Sequence, residues 1–283
     1  MKQICMAGIT VQLDFDDTLL HSNFKEFFLE DNTKKADIII TTKCSSPLTE
    51  TTYGEQLIQA PGMCVYKKEA DYILSYPHYT TIAYTEIFPN RHSATIYLSD
   101  IQQNVSSRQE EVFFAIRDIF FFYLSEYNCV AIHSASILYN EKGYIFSGHS
   151  GMGKSTHTNL WAKELSVPIL NGDVIICQYT KENILLHGIP WCGTSQIYQN
   201  ITVPLGGVFF LEKGKENIVL PLDFFESILR FSTRCFSPTW TEHFSNRLLD
   251  LAQDIISLVP CNILSCRPDK YAVYTVKHFI DNM

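Results

Sequence analysis

The residues best suited to chemistry lie in Ile145-Phe-Ser-Gly-His-Ser-Gly-Met-Gly-Lys-Ser-Thr156, where Gly148 is followed after four residues by Gly153-Lys154-Ser155. This is the spacing of a phosphate loop. Such a loop wraps a triphosphate in backbone N–H groups and turns a helix N-terminus toward the negative charge, so it needs a strand before it and a helix after it. Both are readable: Gly143-Tyr-Ile-Phe146 is a short apolar strand, and Thr156 to Leu165 continues as a helix with Leu160, Trp161 and Leu165 facing inward. Gly148, Gly151 and Gly153 permit close backbone approach, which draws His149, Ser150, Met152 and Thr156 into the same phosphate-binding segment. Lys154 is expected to neutralise the β and γ phosphates of ATP, and the Ser155 hydroxyl to ligate Mg2+. The bland alternative is a Gly/Ser-rich surface turn.

Two further residues complete a phosphoryl-transfer set. Val167-Pro-Ile-Leu-Asn-Gly-Asp-Val-Ile-Ile176 reads as an apolar strand interrupted at Asn171-Gly172-Asp173, and a carboxylate about 20 residues beyond a phosphate loop suits a metal contact or a base. Asp173 is therefore assigned both roles, with a plain turn between two strands as the alternative. Cys129 to Leu138 reads as a strand joined by a turn at Asn140 to Gly143 to the loop strand, which puts His133 one strand from the nucleotide. His133 is an acid/base or phosphate-contact candidate, the alternative being a satisfied core histidine. His149 and His157 are read as shaping the backbone or packing, and His187, Trp191, Cys192 and Gly193 as lining an acceptor pocket.

A competing motif precedes these. Leu13-Asp-Phe-Asp-Asp-Thr-Leu-Leu20 resembles the DxDxT signature of haloacid-dehalogenase-like phosphatases, which implies Asp14 as nucleophile and Asp16 as general acid. That family needs a buried parallel strand before the motif. Thr10-Val-Gln-Leu-Asp14 instead alternates as a half-exposed antiparallel strand does, so an acidic loop is preferred and Asp14, Asp16 and Asp17 are expected to be solvated.

The elements that must position these groups fall into two parts. Residues 1–104 are strand-rich, with strands expected around 8–15, 36–41, 63–67, 71–76, 79–87 and 93–98, and with 67–71 as a hairpin connection. A linker is expected over 99–107, and a helix from Val105 with Ser107 and Glu110 as a capping box and an aromatic face that packs the two parts together. Residues 105–283 then read as a mixed α/β domain: a strand and a Gly-, Pro- and Trp-bearing loop over 185–193, a strand at 204–212, helices over 222–231 and 239–258, a strand at 262–265 and a last helix opened by Pro268-Asp269.

Composition narrows the function. The chain has 283 residues, and 22 basic against 30 acidic side chains give a net charge of -8, which disfavours nucleic acid as a partner. The nine cysteines show no zinc-type spacing, and an odd number without a secretory signal predicts reduced thiols in the cytoplasm. No apolar run reaches membrane-spanning length, so no membrane partner is expected, while a homo-oligomer is compatible with the sequence.

With His133 fifteen residues before Gly148, then Gly148-His-Ser-Gly-Met-Gly-Lys-Ser155, then Asp173, the chain resembles over roughly 125–280 the kinase domain of HPr kinase/phosphorylase and its relatives, a superfamily shared with ATP-dependent phosphoenolpyruvate carboxykinase. The resemblance implies a mixed-sheet, P-loop kinase domain behind a smaller N-terminal domain, and an ATP- and magnesium-dependent kinase acting on a hydroxyl of a protein, peptide or small molecule. It also implies Asp173, His133 and Lys154 as the catalytic set. The family carries paired carboxylates where this chain has Gly172-Asp173, and Thr156 stands where an acidic residue is frequent. The single carboxylate motivates the alternative of a non-catalytic nucleotide-binding regulatory module.

Overall fold

The computed structural model describes residues 1–45, 53–99 and 104–283, which form two compact units. The first comprises Met1–Tyr123 with Pro238–Ser245, and the second Leu124–Ser237 with Asn246–Met283. Of the linker expected over 99–107, residues 100–103 lie outside the described residues. Each unit is built on one large mixed sheet. No helix among the described residues is long and apolar enough to cross a membrane.

In the first unit the described strands are β1 (Lys2–Met6), β2 (Ile9–Asp14), β3 (Ile38–Cys44), β4 (Glu55–Gln59), β5 (Cys64–Lys68), β6 (Asp71–Ser75), β7 (Ile82–Phe88) and β8 (Ser93–Leu98). They are ordered β1-β2-β3-β8-β7-β6-β5-β4 in an eight-stranded sheet. Helix α1 (Val105–Tyr123) contacts β7 and β8 and buries Val112, Phe113, Ile116, Ile119 and Phe120. These contacts place α1 in the first unit, so the units divide at Tyr123/Leu124, whereas the sequence suggested a boundary at 104/105. The Glu111 carboxylate fixes α1 to the sheet by accepting the N–H groups of Thr80, Thr81 and Ile82 at 3.0, 2.7 and 3.2 Å. The helix cap is a correction to the expected Ser107/Glu110 box: Ser107 N–H donates to Asn104 Oδ1 at 2.8 Å, so Asn104 closes the first turn.

The phosphatase-like motif sits on β2, and its strand differs from expectation. β2 pairs antiparallel with β1 but parallel with β3, and Thr10, expected on a solvent face, is buried with its N–H donated to Asp37 Oδ2 at 2.8 Å. Asp14, Asp16 and Asp17 are exposed. Asp16 caps a short 3-10 turn by accepting the Thr18 N–H at 2.8 Å, which holds its carboxyl below the usual range, and Asp17 pairs with Lys2 at 3.0 Å. Asp16 thus has a structural role in the turn that follows β2. Asp14→Asn is expected to leave any phosphoryl transfer unchanged and stability within about 0.5 kcal/mol, as surface changes usually do. A phosphatase activity that vanishes with that substitution would reverse this reading.

The second unit contains, in chain order, β9 (Cys129–Tyr139), β10 (Lys142–Ser147), α2 (Lys154–Leu165), β11 (Ile169–Asn171), β12 (Val174–Thr180), β13 (Asn183–His187), β14 (Thr202–Lys213), β15 (Ile218–Pro221), α3 (Phe224–Ser232), β16 (Cys235–Phe236), the part of α4 (Glu242–Leu258) from Asn246 onward, β17 (Cys261–Cys266) and α5 (Lys270–Asp281). Its nine-stranded sheet follows the path β10-β9-β12-β13-β14-β17-β15, and β10 also pairs parallel with β14. β10, β9, β12, β13 and β14 therefore pair round into a ring, which leaves none of these five as a free edge. One core includes Ile132, Ile145, Ile175 and Val208 with Leu251 and Ile255 of α4; a second joins Phe146, Trp161, Phe209, Leu264, Val273 and Val276 between α2, α5 and the sheet. The β9–β10 hairpin turns through Asn140 and Glu141, both at positive φ (48° and 62°), the conformation whose twist matches its flanking strands.

Candidate active site

The β9–β10 hairpin delivers the chain to the glycine loop, because β10 runs buried beside β9 and β14 and ends at Ser147, whose hydroxyl donates to His133 O at 2.7 Å. The loop over 148–153 then enters α2 with Gly151 and Gly153 at φ 77° and 95°, a backbone that side-chain-bearing residues rarely adopt. Gly148 is buried, whereas His149, Ser150, Gly151, Ser155 and Thr156 are exposed around the helix start and Met152 is half-buried. Lys154 is buried, and its Nζ donates to Gly148 O at 3.0 Å and to His149 O at 3.4 Å. Burial lowers its pKa, Asp173 opposes that shift, and the nearby Arg234 reinforces it.

Asp173 reaches the same place from another strand. Val174 of β12 pairs with His133 of β9, and Ser134 N–H donates to Asp173 O at 2.8 Å. The His133 Nδ1 lies 3.3 Å from Asp173 Oδ1, at ion-pair distance but without hydrogen-bond alignment. Asn171, fully buried, sets this turn: its Oδ1 accepts the N–H groups of Asp173 and Val174 at 2.9 and 3.0 Å, and its Nδ2 lies 2.9 and 3.1 Å from Ile189 O and Trp191 O. Replacing it with alanine leaves buried donors and acceptors unmatched, so Asn171→Ala is expected to destabilise the protein by about 2 to 4 kcal/mol in denaturant unfolding. A loss below about 0.5 kcal/mol would contradict the assigned bonds.

Between these elements lies a pocket of about 160 Å3 lined by Ser155, Thr158, Asn159, Asp173, Thr194 and Ser195, among others. The loop serine and the strand carboxylate therefore share one cavity. None of His187, Trp191, Cys192 and Gly193, expected to line an acceptor pocket, lines this cavity, to which the following residues Thr194 and Ser195 contribute instead. His187 is buried between Thr202 Oγ1 (2.8 Å) and Gln178 Oε1 (3.0 Å), and burial takes its pKa down to about 4. Trp191 and Cys192 are also buried, and Gly193 backs onto the site, since a Cβ there would stand 2.8 Å from Asp173 Cγ. His157 packs: it is buried, accepts the Trp161 Nε1–H at 3.0 Å, and has its pKa lowered to about 3 by burial, which keeps the ring a neutral acceptor.

No family model matches the chain, and no curated protein matches it. Among solved structures the chain is similar to the HPr(Ser) kinase/phosphatase from Coxiella burnetii, with 11% sequence identity and a TM-score of 0.34 over 54% of this chain and 97% of that one. A TM-score at that level carries no argument about chemistry.

One charged residue at the site had no sequence signal. Arg234 precedes β16, whose two residues pair with Ile132 and Ala131 of β9, and His133 N–H donates to Arg234 O at 2.8 Å. Its guanidinium lies against the His149 ring, with nitrogens 2.6 and 3.2 Å from the two ring nitrogens. A strand of two residues has no periodicity to read, and its partner is about a hundred residues away in sequence. Asn171 was visible only as a turn residue; its burial depends on the 189–191 backbone folding over it.

Proposed function

We propose that this protein is an ATP- and magnesium-dependent phosphotransferase that moves the γ phosphate to a hydroxyl. The observation that carries the reading is the convergence of Ser155, at the start of α2, and Asp173, at the start of β12, on one pocket beside the buried Lys154 ammonium. The loop N–H groups and the α2 N-terminus hold the triphosphate, and Lys154 exchanges its bonds to the loop carbonyls for phosphate oxygens. Arg234 adds a second positive charge on the same side. The acceptor oxygen bonds to the γ phosphorus as the bridge to the β phosphate breaks, and the acceptor proton passes to the Asp173 carboxylate. His133, whose Nδ1 lies 3.3 Å from Asp173 Oδ1, helps to position that carboxylate.

The donor set fits magnesium, which prefers oxygen ligands and keeps part of its shell as water or phosphate. Ser155 and Asp173 would hold the ion, which supplies neutralisation of phosphate charge. Among the described residues no three His, Cys, Asp or Glu side chains form a metal site, so the remaining donors would come from phosphate and water.

The test is incubation with magnesium and γ-labelled ATP against free serine, hydroxyl-bearing peptides and HPr, followed by detection of label on the acceptor. Label on any of them supports the reading. Tight nucleotide binding with no transfer to any acceptor or to water would favour the regulatory-module alternative.

A further inference from the structure

A second cavity opens on the other side of the glycine loop, with a volume of about 370 Å3 and walls that include Met152, Leu211, Lys213, Cys266, Arg267 and Pro268. We propose that this cavity holds the base and sugar of the nucleotide whose phosphates lie on the loop. The inference rests on the phosphotransferase reading and extends it to where the nucleoside is recognised.

Strand register builds the cavity. β10, β14 and β17 are parallel, so their carboxyl ends share one rim, where ligands of open α/β sheets collect. Ser147, the last residue of β10, is level with Phe210 of β14, yet β14 continues to Lys213 and keeps pairing there with Cys266 of β17. At about 3.3 Å per residue, the three extra residues raise a wall about 10 Å above the loop. Gly151, Met152 and Gly153 face this wall, so the cavity is continuous with the phosphate-binding backbone. Its volume lies within the range of small-ligand pockets, about 300 to 1,000 Å3.

The lining suits a flat heterocycle. Leu211 is buried, and Met152 and Pro268 add apolar surface. Cys266 adds a neutral thiol, because burial pushes its pKa up to about 11. At the rim, Arg267 is held by Asp269, with Nε 3.2 Å from Oδ2, and by its own N–H donated to Asn217 Oδ1 at 2.8 Å. The Asn217 bond anchors the Arg267 backbone and the Asp269 pair draws in its guanidinium, whose plane offers a stacking surface to a base. The first turn of α2 separates the two cavities: Ser155, Thr158 and Asn159 face the Asp173 pocket, whereas Thr156 and His157 face this one. Nucleoside and acceptor therefore approach the loop from opposite sides.

The test compares magnesium-ATP with magnesium-tripolyphosphate by calorimetry on the full chain. The wild type is expected to bind ATP at least tenfold more tightly than tripolyphosphate. Arg267→Ala is expected to weaken ATP about tenfold and leave tripolyphosphate unchanged, and Arg267→Lys, which keeps the charge and loses the plane, should show most of the same selective loss. Equal wild-type affinity for the two ligands, or a matching loss of both in Arg267→Ala, would overturn the subsite while leaving the loop assignment intact. Failure of the wild type to bind either ligand would overturn the loop assignment and the subsite with it.

Discussion

Lys154→Ala is expected to abolish stabilisation by magnesium-ATP. At ligand a hundredfold above its dissociation constant, wild-type protein gains about 2.7 kcal/mol. In a unit of this size that corresponds to a rise in melting temperature of about 5 to 10 °C. The variant should show little or none of it, because the Lys154 ammonium is the buried positive charge on the loop. Without ligand the cost should be small, about 1 kcal/mol, since the side chain's bonds go only to the carbonyls of Gly148 and His149. A differential thermal scan with and without ATP separates the two effects, and an undiminished ligand shift in Lys154→Ala would remove the phosphate-loop assignment.

Asp173→Asn should have the opposite profile. The amide keeps the volume of the carboxylate, and the loop N–H groups and Lys154 remain, so ATP binding should stay within a few-fold of wild type. Phosphoryl transfer should fall by about 10² to 10⁴, the range for loss of a positioned general base. His133→Asn should cost less, because His133 acts through the Asp173 carboxylate, 3.3 Å from its Nδ1. The split between binding and rate is what distinguishes a base or metal ligand from a residue that merely holds the turn. If Asp173→Asn lost ATP binding and stability together, Asp173 would be a structural residue of the 171–173 turn.

The glycine loop, the hairpin before it and the strand that carries Asp173 were legible in the sequence for a shared reason. Each is a local pattern: glycines at fixed spacing, a turn between two apolar runs, and a carboxylate closing a short break in a strand. What escaped depends on distant partners. β1, β4, β15 and β16 are short, and β4 and β15 carry mainly exposed or half-exposed side chains, so no alternation marks them. Arg234 reaches the site only because β16 adds to β9, and the pocket walls at Thr194 and Ser195 depend on a loop whose path is set by Asn171. The β2 strand shows the same limit in another form. Its alternating pattern suggested one wet face, which holds at Gln12 and Asp14, but Thr10 is buried with its N–H satisfied by Asp37, and the parallel pairing with β3 depends on a strand the local pattern does not show.

Whether Ser155 and Asp173 act together on a nucleotide held by the loop is decided by a crystal structure with magnesium and a non-hydrolysable ATP analogue. The triphosphate is expected along 148–154, the Ser155 hydroxyl on the metal, and the Asp173 carboxylate within direct or water-bridged reach of the metal and the γ phosphate. Both Asp173 and His133 lying remote from the γ phosphate would contradict it.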